Sequence, residues 1–180
     1  MDVLESTAES LTVLETVVSG ISPADSDRQT PCREFDVASL TEHLYNSIIT
    51  LGGVAGGQFP DRDTGDTVAQ QVIPPAHLAI RAWQQRGTDG DVDFGPQPFP
   101  ARLAAGILAL EFLVHACDYA AAVGADVTVP DEVAESVLAL ARQVITPEGR
   151  KVAGFDAPIE LPADAPALHR LLAFTGRHTV

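Results

Sequence analysis

RLAAGILALEFLVHACDYAAAVG, residues 102–124, is the stretch from which the rest of the chain is read. It is long enough for about six helical turns. Strong helix formers fill it, Gly106 is its one interior glycine, and Gly124 supplies a stop. From Leu103 to Cys117 it is apolar almost all round, which places it inside a bundle, buried on most sides. Two costly residues, Glu111 and His115, sit within that run. Positions four apart differ by about 40° around a helix axis, so the two share one face. A carboxylate and an imidazole in apolar surroundings need partners, because an unpaired buried charge is expensive. A divalent metal satisfies both, as does an ion pair or hydrogen bond between them.

Working outward, helical periodicity recurs on both sides. Leu4, Leu11, Leu14 and Val18 mark a first helix from Val3 to Gly20. A second opens at Asp36, a good N-cap, with Phe35 placed to staple onto Leu40, and it runs to about Gly57, loosened at Gly52 and Gly53. Thr41, Glu42 and Asn46 fall on its exposed face, and His43 lies nearer the apolar side with Leu40, Leu44 and Ser47. A third helix spans Asp66 to Arg86. Pro74 and Pro75 predict a break in it, because tandem prolines remove two backbone donors. Gly87 to Pro100 reads as a loop. Beyond the central helix, a fifth opens at Pro130 and Asp131 and ends near Val144, before Pro147. An extended piece is expected at Ala157 to Leu161, then a short helix from Ala165 to Thr175, capped by Asp164 and stopped by Gly176. No alternating pattern is long enough for a sheet core. The expectation is a mainly α chain, one domain over residues 1–180, with four long helices in a bundle and additional C-terminal helices.

Composition narrows the function. A chain of 180 residues supports one substantial core. A formal charge of −14 argues against nucleic acid and against an anionic membrane surface, both of which are met with Lys and Arg. The start, MDVLESTAES, lacks the basic and apolar segments of a signal peptide, and no 18-residue uninterrupted apolar run suggests a membrane span. Cys32 and Cys117 form no CxxC pair and read as reduced thiols of a cytoplasmic protein.

The chemistry concentrates in three residues. His43 on the second helix joins Glu111 and His115 on the fourth as candidate metal ligands. An i, i+4 pair on one helix with a third ligand from a neighbour is how bundles build metal sites. Two imidazoles and one carboxylate suit zinc, with a coordination position left for water or substrate. Asp118, three residues past His115, is placed to accept a hydrogen bond from the other nitrogen of a ligating imidazole. Cys117 reads as a small core residue, Cys32 as a remote candidate ligand, and His77, His169 and His178 as surface residues.

Three segments carry a family resemblance: TPCREFDVASLTEHLYNS, ALEFLVHACDYAAAVG and LPADAPALHRLLAFTGR. Together, and in this order, they resemble the mycothiol-dependent maleylpyruvate isomerase-like family, a branch of the DinB-like superfamily. The resemblance implies a four-helix bundle holding a divalent metal through His43, Glu111 and His115. Phe35 stands where many members have Trp. Characterised isomerases of the family carry a further C-terminal domain, whereas many short members are described only as metal-binding proteins. Two functions follow. One is a metal- and mycothiol-dependent transferase or isomerase, whose partners are a small-molecule thiol and an electrophilic substrate, with a homodimer as an open option. The other is a non-catalytic metal-binding or structural bundle.

Overall fold

The computed structural model describes residues 1–152 and 155–178. It is mainly helical. Helices α1 (Val3–Val18), α2 (Val37–Val54), α3 (Val68–Arg86) and α4 (Ala101–Val123) pack in a ring, α1 against α4, α4 against α2, α2 against α3 and α3 against α1. Helix α5 (Asp131–Val144) lies outside the ring on α4 and α1, and α7 (Ala167–Phe174) packs on α5. A short helix α6 (Pro147–Val152) follows α5 where Pro147 reads in the sequence only as a terminator. Pro at the first helical position has no donor to waste, which makes it a start signal as much as a stop.

The central stretch behaves as its composition demands. Leu108, Phe112, Leu113, Ala116 and Tyr119 of α4 are fully buried, and Gly124 closes the helix in the left-handed conformation at φ 70°. Helix α4 has the length and hydropathy of a membrane span, yet 72% of its most apolar window is covered by the other helices. Asp36 caps α2, its Oδ1 accepting from the Ser39 amide at 2.8 Å, and Ser39 Oγ in turn accepts from the Asp36 amide at 3.0 Å. Both ends of that reciprocal pair are local, so the start of α2 was legible.

Several expectations are corrected. Helix α3 does not break at Pro74 and Pro75 but continues through both. The two prolines deny amide partners to the carbonyls of Gln70 and Gln71. Val72, Ala76, Ala79 and Trp83, all fully buried, hold the turns on either side against the same core. Trp83 also donates from Nε1 to the Leu51 carbonyl of α2 at 3.0 Å. Helix α2 ends at Val54 and runs through Gly52 and Gly53. Gly52 is there for closeness: a Cβ on it would meet Ala79 Cβ at 2.8 Å and Ala79 Cα at 3.0 Å. Thr41 is buried, not exposed, and its hydroxyl lies 2.9 Å from Tyr119 Oη of α4. Helix α2 touches α3 on one side and α4 on the other, so its buried arc is wider than a single apolar stripe suggests.

The loop read at Gly87 to Pro100 contains a two-stranded antiparallel hairpin, β1 (Asp91–Asp93) with β2 (Pro98–Pro100). Residues 157–161 form no strand, and Ile159 donates its amide to the Ala173 carbonyl at 2.9 Å. Helix α7 starts at Ala167, and Pro166, not Asp164, occupies the cap position without a side-chain bond. Its other end is as expected, with Gly176 at φ 83°.

Candidate metal centre

The site lies where α2 crosses α4. The backbone before α2 is held tightly: Thr30 N, Thr30 Oγ1 and Gln29 Nε2 all donate to the Phe35 carbonyl, at 3.1, 2.7 and 2.7 Å. Phe35 then lays its ring on His43, centroids 4.9 Å apart and planes 26° off parallel. The sequence suggests Phe35 as a staple for Leu40; in the structure its ring stacks on His43, about one helical turn further on. The Thr41–Tyr119 contact ties α2 to α4 two residues from His43.

His43 Nε2 lies 3.4 Å from Glu111 Oε2, and His115 Nε2 lies 3.5 Å from the same oxygen. The two imidazoles meet edge to face with centroids 5.2 Å apart. One ligand atom from each of the three residues falls within 4.8 Å of the others, so the group could hold a metal ion. Among the described residues this cluster contains neither cysteine. Exposure is graded, from 37% for the His43 side chain through 15% for Glu111 to 7% for His115. The site is therefore rooted in α4 and reaches solvent at His43.

The chemistry of the three atoms fits a cation. Glu111 Oε2 is buried without a hydrogen-bond partner. Separations of 3.4 and 3.5 Å are too long for good N–H···O bonds, which centre near 2.9–3.0 Å. Ligands at about 2.0–2.1 Å around a tetrahedral ion would themselves sit roughly 3.3–3.4 Å apart. Burial by itself would raise the Glu111 carboxyl, but the two imidazoles outweigh it and hold the group well below the usual carboxylate range. Burial likewise favours a neutral His115, yet Asp118 and Glu111 raise its pKa to about 9. The pocket thus draws positive charge to the point where three donors converge.

Behind the cluster stands a second layer. His115 Nδ1 is 3.0 Å from Asp118 Oδ2. Asp118 in turn receives Arg177, whose Nε reaches Oδ1 at 3.0 Å and whose Nη2 reaches Oδ2 at 2.7 Å. Arg177 and Asp118 are 6% and 1% exposed. Burial alone would raise Asp118, but the bonds from His115 and Arg177 keep its carboxyl below the ordinary value. Sequence reasoning placed Asp118 beside His115 and missed Arg177, which follows the Gly176 stop 59 residues further along. The only local signal for it was a basic residue immediately after a helix-ending glycine.

The remaining candidates fall elsewhere. Cys117 is buried, and its thiol is pushed up to about 12 by that burial, so it is an inert core group. Cys32 is free and lines a cleft of about 270 Å³ with Arg33, Asp156 and Arg177. His77, His169 and His178 are exposed, and His77 Nε2 meets Glu15 Oε1 at 2.6 Å. A larger cleft of about 440 Å³, at the starts of α2 and α3, is lined by Asp36, Glu42 and Arg62 but by none of His43, Glu111 and His115.

No family model matches the chain. No solved structure matches it either. The chain is similar to uncharacterized proteins of Mycobacterium tuberculosis, from strains CDC 1551 / Oshkosh and ATCC 25618 / H37Rv, at 29% identity over 154 residues, 82% of each chain.

Proposed function

We propose that this chain is a divalent-metal-binding bundle protein, with zinc as the metal, acting as a thiol-dependent transferase or isomerase of the kind its sequence resembles. The observation that carries the reading is the approach of His43 Nε2 and His115 Nε2 to one unpartnered oxygen of Glu111. Two imidazole nitrogens and a carboxylate oxygen are a borderline-soft donor set that suits zinc. When bound, the metal would supply Lewis acidity and lower the pKa of a thiol brought to it.

The chain's own residues divide the remaining work. Glu111 contributes negative charge from within the bundle. His115 presents Nε2 while Asp118 holds its opposite nitrogen. His43, stacked on Phe35 and half exposed, forms the wall facing solvent, the side from which a small thiol such as mycothiol and an electrophilic substrate would enter. Three protein donors leave a position free on a four-coordinate ion, which favours an active centre over a closed structural one.

Elemental analysis and cobalt substitution test this directly. About one divalent ion per wild-type chain is expected, and much less on His115→Ala. Mycothiol added to cobalt-loaded protein should produce a near-ultraviolet charge-transfer band. Equal metal content in the two proteins would remove the site. Metal without the band would leave a metal-binding structural bundle.

A further inference from the structure

We infer that Arg177 is a positioning residue for the metal centre, acting through Asp118 to fix the ring of His115 in the orientation that presents Nε2 to the site. The inference rests on the metal-binding reading of His43, Glu111 and His115.

The geometry is a chain of buried contacts. The guanidinium of Arg177 grips Asp118 with two donors, Nε on Oδ1 and Nη2 on Oδ2, at 3.0 and 2.7 Å. Two parallel bonds fix a carboxylate plane in a way that a single bond does not. The fixed oxygen Oδ2 is also the one 3.0 Å from His115 Nδ1. A carboxylate in an ion pair accepts and does not donate, so Nδ1 carries the hydrogen in this contact. The lone-pair position of the neutral ring is then Nε2, on the side of Glu111 and His43. Metal-ligating histidines are commonly held in this manner from their second nitrogen.

Arg177 is itself held from three sides. Helix α7 ends with Gly176 in the left-handed conformation. The Arg177 amide then donates to the Leu172 carbonyl at 2.8 Å and the Gly176 amide to the Ala173 carbonyl at 3.0 Å. This is the paired-bond helix terminus that glycine permits, and it sets the direction in which residue 177 leaves the helix. Arg177 Nη1 donates to the Thr175 carbonyl at 3.1 Å, and the guanidinium carbon sits 5.8 Å from the centre of the Phe155 ring. A Cβ at position 176 would strike Asp156 at 2.6 Å, so the turn is closely packed as well as conformationally special. A surface arginine needs none of this support. Arg177, just past the end of α7, is thereby coupled through Asp118 to His115 on α4.

The test compares wild type with Arg177→Gln and Arg177→Lys, using zinc affinity by chelator competition and the nitrogen-bound ring proton of His115 Nδ1 in the NMR spectrum. Arg177→Gln should weaken zinc binding roughly 10- to 100-fold without changing its stoichiometry. Wild type should show a slowly exchanging, downfield Nδ1 proton, and Arg177→Gln should lose it. Arg177→Lys, which keeps the charge but not the two-pronged grip, should fall between, and it carries the test if the glutamine variant does not fold. Unchanged affinity together with an unchanged Nδ1 proton in a folded variant would overturn the inference and leave the metal site standing. A wild type that takes up no zinc, while the Nδ1 proton still disappears in the variants, would overturn the metal reading and leave the positioning of His115 intact.

Discussion

Phe35 lies flat on His43, 4.9 Å between ring centres, and so restrains the candidate ligand most open to solvent. An aromatic pair of this kind contributes about 0.5–1.5 kcal/mol beyond simple burial. Phe35→Leu retains an apolar side chain and removes the stack. It should weaken zinc binding roughly 2- to 10-fold while the metal content at saturation stays the same. Chelator competition measures this, and an affinity equal to wild type would show that α2 alone orients His43.

His115 gives the metal-free protein a pH signature. Its folded-state pKa is raised from 6.5 to about 9, so the stability it confers is fully present below 6.5 and is lost as pH rises through about 9. Urea midpoints of metal-free wild type should therefore fall over that window relative to those of His115→Gln. Zinc at the proposed site would work in the opposite direction, because it would have to displace the ring proton. Its affinity should rise by about tenfold per pH unit from this proton alone, up to about pH 9. A zinc affinity independent of pH would mean that the ring is neutral before the metal arrives.

Adjacent glycines in α2 should respond with opposite sign. At Gly52 an added methyl meets the backbone of Ala79, so Gly52→Ala should destabilise by about 1–3 kcal/mol. At Gly53 nothing lies within 4 Å, so Gly53→Ala should stabilise by about 0.4–1 kcal/mol. Thermal melts of the two single variants are the comparison, and shifts of the same sign would contradict the close approach of α2 to α3.

Asp36→Ala should cost about 1 kcal/mol, through loss of the bond from the Ser39 amide. The readout is the urea midpoint. No change would mean that Ser39 and water replace the cap.

What could be read in the sequence was what neighbouring residues settle between themselves. The Asp36 cap, the Gly124 and Gly176 stops and the Glu111–His115 spacing each involve residues within a turn or two. The helical class followed from periodicity for the same reason. Thr41 was misplaced because its partner, Tyr119, comes from another helix, and no local pattern announces that α2 is covered on two sides. The prolines of α3 misled because their local cost is real but is outweighed by Val72, Ala76 and Trp83 packing on either side. Arg177 went unread because its meaning lies wholly in Asp118, far upstream.

That separation of 59 residues has a consequence in time. A ribosome adding roughly 5–20 residues per second makes Arg177 about 3–12 seconds after Asp118. Throughout that interval the nascent chain already holds His43, Glu111 and His115, but the carboxylate behind His115 has no guanidinium to grip it. An ion captured then would meet an imidazole still free to turn, and the proposed centre would gain its final rigidity only once residue 177 had docked.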